Sequence, residues 1–428
     1  MIRPLKDGSP AARRRLEVLA ARGSGPGDVE KVVRRIVDEV RRDGDAAVAK
    51  FTKRFDGVTL APSEFEIDKR AVKRARAQVA PAVLAALELA HERIVRFHEK
   101  QRESGFELRE KGLTTGVRVT PMRRAGVYVP GGKAAYPSSV LMNVVPAKVA
   151  GVDEIIVVTP PQADGIRPEV LAAAGIAGAD RVFQIGGAQA VAALAYGTKS
   201  VPRVDKIVGP GNIFVATAKR LVFGQVDIDM IAGPSEVLIL ADGKANPAFI
   251  AADMLAQAEH DELAAAICVT TSSRVAAEVG KALRLQLAEL ERAAIARESL
   301  IRYGTIFVAP SMRRAAELAD EIAPEHLEIF TSDPRKVFAQ IRNAGAVFLG
   351  EHATEPLGDY AAGPNHVLPT GGAARFSSPL GVYDFVKRTS IIEADRRGLA
   401  RLSETVMQLA SAEGLQAHAL AVSRRMKR

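Results

Sequence analysis

Residues 181–196, RVFQIGGAQAVAALAY, and residues 206–223, KIVGPGNIFVATAKRLVF, each begin as a short β-branched run, turn at glycine and continue as a helical pattern. In parallel α/β sheets ligands bind where strands end, because glycine lets the backbone approach a ligand and a helix N-terminus favours phosphate. A third glycine turn, AGPSE at 232–236, leads instead into a strand. None of the three matches GxGxxG, and an ordinary turn is the alternative explanation of each. Two consecutive strand–glycine–helix junctions nevertheless favour a nucleotide site.

Short β-branched runs alternate with helical patterns through most of the chain beyond residue 116. We predict ten strands, at residues 116–120, 126–129, 154–159, 181–185, 206–208, 236–241, 265–271, 305–308, 327–331 and 346–349. Amphipathic segments of about ten to fifteen residues separate most of them, which is typical of βαβ units and a parallel sheet. Ten strands are many for one nucleotide-binding half, so the pattern predicts two α/β domains that share a cleft.

The two ends of the chain show other patterns. The first hundred residues are helical, with one helix capped by Asp28 and a longer pattern at 69–101 that bends or restarts at Pro81. After residue 380 we predict an extended piece at 382–392, one final helix at 399–409 and a frayed, solvated terminus at 424–428. Such a tail is expected to pack on a neighbouring domain or subunit.

Composition places the chain among ordinary globular proteins. It has 428 residues, of which 47% are hydrophobic and 25% charged, so it can bury a large core. Its one cysteine, Cys268, cannot form an internal disulfide. No signal peptide is visible, and no apolar run approaches the ~18 residues of a membrane span. We therefore expect a cytoplasmic protein with no membrane partner.

The formal net charge of +9 raises the hypothesis of a nucleic-acid-binding protein. The basic residues, however, are scattered in pairs such as Arg34–Arg35 and Arg123–Arg124, and aromatic residues make up only 5% of the chain. Platforms for stacking bases are therefore scarce. Solvated faces that attract anionic ligands are the favoured interpretation, and no nucleic-acid partner is expected.

Several polar residues could carry chemistry. Gln257 and His260 are three apart in a predicted helix and so share a face, where helix capping is the alternative to metal binding. Glu325 and His326 precede a strand and could supply two proton acceptors. Asp359 could ligate a metal or form an Asx turn. His91 and His98 are expected at the surface of the basic N-terminal helix. These residues alone indicate an α/β enzyme with a nucleotide-sized cleft.

Nine segments together resemble the histidinol dehydrogenase family. They are GVYVPGG (126–132), YPSSVLMN (136–143), GGAQA (186–190), KIVGPGN (206–212), AGPSE (232–236), QAEHD (257–261), APEHL (323–327), NHVLPT (365–370) and EGLQAH (413–418). The resemblance spans nearly the whole chain in order, although residues 1–100 match only in being helical and basic. The segment TEPL (354–357) departs from the family pattern and puts only the local loop shape in doubt.

The resemblance implies an α/β fold of two incomplete Rossmann-like domains with parallel sheets, plus an N-terminal helical arm and a C-terminal tail. The implied divisions are the arm at 1–106, a larger domain at 107–127 and 236–378, a second domain at 128–235, and a tail at 379–428 that packs on the partner of a homodimer. The implied activity is the oxidation of L-histidinol to L-histidine via L-histidinal, with two NAD and one Zn²⁺ per site.

The resemblance also implies roles for individual residues. The zinc ligands would be Gln257, His260 and Asp359, with His418 reaching over from the partner chain. NAD would contact Tyr128, Gln189 and Asn212. The substrate pocket would include Ser235, Gln257, His260, His326, Asp359, Glu413 and His418, with His366 close by. His326 would be the general base in both oxidations, and Glu325 would activate water between them. A related zinc- and NAD-dependent dehydrogenase that oxidises another alcohol is the alternative.

Overall fold

The structure is a computed structural model that describes residues 2–22, 27–131, 136–231 and 233–427. Gly132, Ala232 and Arg428, which belong to the motifs and the tail discussed above, lie outside these residues. The strands are β1 (Leu5–Lys6), β2 (Phe106–Glu110), β3 (Leu113–Pro121), β4 (Arg124–Tyr128), β5 (Glu154–Val158), β6 (Arg181–Phe183), β7 (Lys206–Val208), β8 (Asp227–Ile228), β9 (Glu236–Ala241), β10 (Ala265–Thr270), β11 (Thr305–Val308), β12 (His326–Phe330), β13 (Ala346–Leu349) and β14 (Val386–Ala394).

The helices form the outer layers. They are α1 (Pro10–Ala20), α2 (Gly27–Asp43), α3 (Asp45–Asp56), α4 (Lys69–Ala75), α5 (Pro81–Glu99), α6 (Pro137–Ala150), α7 (Pro168–Ala177), α8 (Gly187–Tyr196), α9 (Ile213–Val222), α10 (Pro247–Ala258), α11 (Ser273–Gln286), α12 (Ala293–Arg302), α13 (Met312–Ile322), α14 (Pro334–Phe338), α15 (Glu355–Tyr360), α16 (Arg396–Ala412) and α17 (Gln416–Met426). Among the described helices, none is long and apolar enough to span a membrane.

A five-stranded parallel sheet forms the first α/β unit, in the order β6-β5-β4-β7-β8. Numbered within the unit, this order is 3-2-1-4-5, which is that of a Rossmann fold lacking its last strand. Successive strand residues face opposite helical layers, so Val127 packs with α6 and α7 while Tyr128 packs with α2, α3 and α8. Because both faces are covered, the strands are continuous apolar runs.

A six-stranded parallel sheet forms the second unit, in the order β1-β11-β10-β9-β12-β13. Without the edge strand β1, this order again numbers 3-2-1-4-5 within its unit. Val237 and Ile239 face α10 and α11, whereas Leu238 and Leu240 face α1 and α13. The two sheets confirm the predicted fold class of two Rossmann-like units with parallel sheets.

A small antiparallel sheet, β14-β3-β2, lies outside both units. The expectation that residues 116–120 begin the βαβ series is therefore wrong, because these residues lie within β3. Every residue of β2 and most of β14 are exposed, so this sheet lacks the second covered face on which the parallel prediction depends. The assignment of residues 107–127 to the larger domain, like the other domain boundaries, stays a prediction.

The chain ends also differ from the sequence predictions in detail. Helix α2 begins at Gly27, so Asp28 lies in its first turn rather than at its N-cap. The long N-terminal pattern divides into α4 and α5, and α5 restarts at Pro81 as expected. The extended tail segment becomes a regular strand only at Val386, and two helices follow it instead of one. The basic terminus is helical to Met426 rather than frayed.

Candidate active site

A cavity of about 380 Å³, here called the central cleft, lies where the two sheets face each other. The five-stranded sheet presents its carboxyl edge, with residues 209–211 after β7 and Met230 after β8. The six-stranded sheet presents its amino edge, with Ser235 just before β9 and His326 at the start of β12. The rule that ligands bind where parallel strands end therefore applies to only one side of this cleft.

His326 lines the cleft and has two differently placed ring nitrogens. Nδ1 lies 3.2 Å from the backbone oxygen of Glu236. Since a carbonyl oxygen only accepts, Nδ1 must carry the proton and donate it. This tautomer leaves the lone pair on Nε2, a buried atom that has no hydrogen-bond partner within the described residues. His326 is therefore arranged to accept a proton from a bound molecule.

Glu325 lies beside His326 and is buried. One of its carboxylate oxygens, Oε2, accepts a hydrogen bond of 3.1 Å from the backbone N–H of Glu236. Burial raises the pKa of Glu325 to about 7, while His326 and a hydrogen bond from Ser235 oppose that rise. A carboxyl with this pKa can accept or donate a proton near neutrality.

A possible metal site lies in the same cleft. His260, Glu355 and Asp359 place potential ligand atoms within 4.8 Å of one another. Gln257 also lines the cleft, and both amide atoms of its side chain are buried without a partner in the described part of the chain. Oxygen donors and one imidazole around unsatisfied buried atoms suit a divalent cation such as Zn²⁺. The residues present therefore fit the metal that the resemblance implies.

Gln257 and His260 reach this site in a different way from the one expected. Helix α10 ends at Ala258, and His260 lies in the following turn, where its backbone N–H donates to the backbone oxygen of Gln257 over 3.3 Å. The interpretation that both side chains lie on one helical face is therefore wrong. Desolvation lowers the pKa of His260, which favours the neutral form that a metal ligand needs.

Glu355 is the site residue that sequence reasoning missed. It begins α15 and lies four residues before Asp359, so the two carboxylates share one helical face. That spacing is visible in the sequence, but residues 354–357 indicated only a departure from the family pattern, and of the two carboxylates Asp359 alone was a candidate metal ligand. Burial raises the pKa of Glu355, and Asp359 raises it further.

Two more buried carboxyls continue from Glu355 away from the cleft. The Glu328 carboxylate accepts a 3.0 Å hydrogen bond from the backbone N–H of Glu355. Asp253 and Glu328 interact through their side chains, and burial raises the pKa of both, that of Asp253 to about 6. Asp253, Glu328 and Glu355 therefore form a buried group of carboxyls that resist ionisation without a nearby positive charge.

The three residues expected to bind NAD line a second cavity, of about 600 Å³, here called the side cavity. Tyr128 ends β4 and accepts a 3.1 Å hydrogen bond from the Gly187 N–H at the start of α8. The Asn212 side chain caps α9 through the N–H groups of Phe214 and Val215. Gln189 lies in the first turn of α8. Two helix N-termini thus border this cavity, as a bound phosphate requires.

The loop after β7 separates the two cavities and needs its first glycine. Gly209 has φ +108°, and a Cβ there would lie 2.1 Å from the Tyr128 carbonyl oxygen. The same loop is fixed by Asp229, which accepts the Gly209 N–H over 2.8 Å, and by Lys219, which donates to the Gly209 carbonyl over 2.9 Å. A side chain at position 209 would therefore displace the loop after β7.

His366 lines the central cleft, as expected, and supports Asp359. Its Nδ1 lies 3.1 Å from the Asp359 backbone oxygen, and its Nε2 lies 3.4 Å from the Ser139 hydroxyl. The preceding residue, Asn365, contacts Nε2 of His98 at 3.4 Å. His98 is fully buried, so its expected surface position is wrong: it packs beneath the loop that carries His366.

Glu413 and His418 are not brought to this cleft within one chain. Glu413 is the C-cap of α16 and His418 lies in α17, and both side chains are exposed. Of the predicted site residues, Ser235, Gln257, His260, Glu325, His326 and Asp359 line the central cleft, and Tyr128, Gln189 and Asn212 line the side cavity. Their individual roles stay predictions.

Comparisons with known proteins point to one family. The family model described as histidinol dehydrogenase matches residues 21–426. The histidinol dehydrogenase of Aquifex aeolicus is 56% identical over 411 residues, covering 95% of each chain, and that of Syntrophotalea carbinolica is 55% identical over 414 residues, covering 96% of each. The crystal structure of histidinol dehydrogenase from Elizabethkingia anophelis is 33% identical, with a TM-score of 0.93 over 99% of this chain and 98% of that one.

The environment of Glu325 predicts how a Glu325→Gln substitution changes stability. In the folded protein the pKa of Glu325 is raised from its ordinary 4.5 to about 7, so ionising this buried carboxyl lowers the stability of the wild type. The loss of stability is complete above pH 7 and absent below pH 4.5. The variant should therefore be more stable by roughly 3 kcal/mol at about pH 8, and equally stable near pH 4.5. Denaturant unfolding in the presence of a chelator measures this, with Glu262→Gln, an exposed carboxyl, as the control. A stability gap that does not change with pH would contradict the assigned environment.

Proposed function

The chain belongs to the histidinol dehydrogenase family, and from this premise we propose that it oxidises L-histidinol to L-histidine through L-histidinal, reducing two NAD molecules in turn. The observation that carries the proposal is the pair formed by His326 and Glu325. Nδ1 of His326 donates its proton to the backbone oxygen of Glu236, which leaves Nε2 free to accept. Burial raises the pKa of the adjacent Glu325 carboxyl to about 7. Two proton acceptors beside each other are what two successive oxidations at one carbon require.

In the first oxidation, His326 removes the hydroxyl proton. An alcohol carbon releases hydride readily only as its oxygen loses a proton, because the O–H electron pair then forms the carbonyl bond. NAD, when bound, accepts the hydride with the C–H electron pair. The products are L-histidinal, NADH and one proton held on Nε2 of His326.

The second oxidation needs water, because carbonyl addition must precede loss of the remaining hydride. Glu325 takes a proton from water as the water oxygen bonds to the aldehyde carbon, and the proton held on Nε2 of His326 passes to the former carbonyl oxygen, which gives the hydrate and leaves His326 neutral. His326 then accepts a hydroxyl proton of the hydrate while the second hydride leaves, and the carboxylic acid forms. The raised pKa of Glu325 keeps its proton affinity close to that needed for both steps.

Zinc would be held by Gln257, His260 and Asp359, with Glu355 within reach of the same position. When bound, it would grip the imidazole and amine of the substrate and so fix the reacting carbon. Ser235, which hydrogen-bonds Glu325, would contact the substrate on the opposite side. NAD would bind in the side cavity against Tyr128, Gln189 and Asn212. Burial raises the pKa of the Tyr128 phenol to about 12, so it remains a neutral hydrogen-bonding group.

A homodimer would complete the site with Glu413 and His418 from the partner's tail. Both residues are exposed and outside their own chain's cleft. The antiparallel sheet and the tail also expose apolar side chains, among them Phe106, Leu108, Ile392 and Leu409. Exposed apolar side chains of this kind favour a protein interface. A cytoplasmic location belongs to the same proposal. The proposal also includes no nucleic-acid partner, which the scattered positions of the basic residues support.

The proposed reaction predicts two NADH for each L-histidinol consumed, measured by NADH absorbance and product identification. His326→Asn should slow both oxidations by at least ~100-fold, because the general base is lost. Glu325→Gln should slow the conversion of L-histidinal to L-histidine by a similar factor, with a smaller effect on alcohol oxidation. His352→Asn, a substitution of an exposed histidine outside the cleft, is the control. Equal turnover of amino alcohols without an imidazole would favour the alternative substrate, and a normal second step in Glu325→Gln would refute its role.

The zinc assignment predicts that a strong chelator abolishes turnover and that added zinc restores it. Asp359→Asn should weaken zinc binding by more than the roughly 10–100-fold typical of an outer-shell partner. Glu355→Gln should fall within that range if Glu355 only supports the ligands, and beyond it if Glu355 binds the metal directly. Competition with a zinc indicator measures these affinities, with Glu262→Gln as the matched control. Full activity in metal-free enzyme would contradict the assignment.

The shared site predicts complementation between inactive subunits. In a heterodimer of a His326→Asn chain and a His418→Asn chain, one site receives an intact cleft and an intact tail. Differently tagged chains purified as heterodimers should therefore recover about half of wild-type activity. Heterodimers of His326→Asn with Glu325→Gln chains should not recover L-histidine formation, because each defect lies in its own cleft. If the first mixture also stays inactive, His418 acts within its own chain.

A further inference from the structure

A buried ion pair lies at the start of β9, the strand that pairs with the His326-bearing strand β12. Arg22 follows α1, and its side chain is only 3% exposed, while the side chain of Glu236, the first residue of β9, is 5% exposed. The Arg22 guanidinium pairs with the Glu236 carboxylate and also donates to the Pro234 carbonyl over 3.1 Å. Arg22 is not among the residues that line the central cleft, so it is not placed to touch a bound substrate.

The backbone of Glu236 is hydrogen-bonded to both Glu325 and His326. Its backbone N–H donates to the Glu325 carboxylate over 3.1 Å, and its backbone oxygen accepts from Nδ1 of His326 over 3.2 Å. Its carboxylate accepts a further 2.9 Å hydrogen bond from the N–H of Gly371, next to Thr370 at the cleft wall. The orientation of this one residue therefore sets the orientation of both groups.

We propose that Arg22 is a positioning residue that acts through Glu236 to hold His326 and Glu325 in their reactive orientations. A buried carboxylate that loses its counter-charge must take up a proton or move toward water, and either change disturbs the backbone that carries it. The N-terminal segment would thereby be coupled to catalysis without reaching the substrate. The inference rests on the proposed function, because its readout is the oxidation of L-histidinol.

The charge of Arg22 also reaches Glu325. Burial lowers the pKa of Arg22 to about 10, so it remains positive at neutral pH, and its attraction to Glu325 helps to keep it so. The other charged or titratable groups that act on Glu325 are His326, Glu355 and Asp359. By reciprocity, removal of the Arg22 charge should raise the pKa of Glu325 and move the pH profile of the water-dependent second oxidation upward.

The test compares two arginines that anchor the same N-terminal segment. Arg15 donates to Thr305 and to the carbonyls of Arg302 and Gly304, at the start of β11 rather than at Glu236. Arg22→Met should lower kcat for L-histidinol by about 10–100-fold, with KM within about 2-fold and the pH profile for L-histidinal oxidation shifted upward. Arg15→Met should lower the unfolding temperature but leave kcat and the pH profile unchanged. Arg22→Lys, which keeps the charge, should recover part of kcat and the wild-type pH profile.

Each outcome decides between the two proposals. Wild-type kcat and pH profile in Arg22→Met, or equal kcat losses in both methionine variants, would overturn the inference alone, given an active wild type. A wild-type enzyme that is inactive on L-histidinol would overturn the proposed function and the inference with it. Where Arg22→Met does not fold, Arg22→Gln carries the test, since an unchanged kcat in that folded, uncharged variant contradicts a positioning role.

Discussion

The parallel pairing of β9 with β12 is the constraint on which the candidate active site depends. In this register His326 lies opposite Val237, so the backbone of Glu236 meets both the His326 ring and the Glu325 carboxylate. A slip of one residue would turn the His326 side chain to the opposite face of the sheet. Apolar packing on both faces prevents that slip, because Leu238 and Leu327 lie in one core and Val237 and Ile239 in the other. The chemistry of the site is therefore held by the core rather than by the loops.

The two α/β units share one strand order but use opposite edges at the cleft. The five-stranded unit contributes glycine turns and helix N-termini at its carboxyl edge, which suit a phosphate-bearing ligand. The six-stranded unit contributes Ser235, Glu325 and His326 at its amino edge, where the strands begin. Opposed edges place a groove that can hold a cofactor beside a polar pocket that can hold a small substrate.

The parallel sheets were predictable from the sequence because their strands are buried on both faces and read as continuous apolar runs. The antiparallel sheet was not, because β2 and β14 are exposed and carry no such signal. Within the site, residue types and family resemblance identified Gln257, His260, Glu325 and Asp359, which the fold brings together from three separate segments. Glu355 and Arg22 were not predicted as site residues, because the features that single them out are their burial and their contacts with residues distant in sequence. His98 was misplaced because a histidine in a basic helix gives no sign of the loop that covers it.

Charge around the cleft is arranged in two different ways. Behind the strand, the buried Glu236 carboxylate is matched by Arg22, so its charge is compensated within the chain. In front, burial and mutual repulsion raise the pKa of Glu325, Glu328 and Glu355. Arg22 attracts Glu325, but among the described residues no arginine or lysine forms an ion pair with any of these three carboxyls. The first arrangement fixes geometry, because a matched pair has no reason to move or titrate. The second leaves proton affinity high and ligand atoms unsatisfied, which is the condition under which a cation or a proton from substrate is bound most strongly.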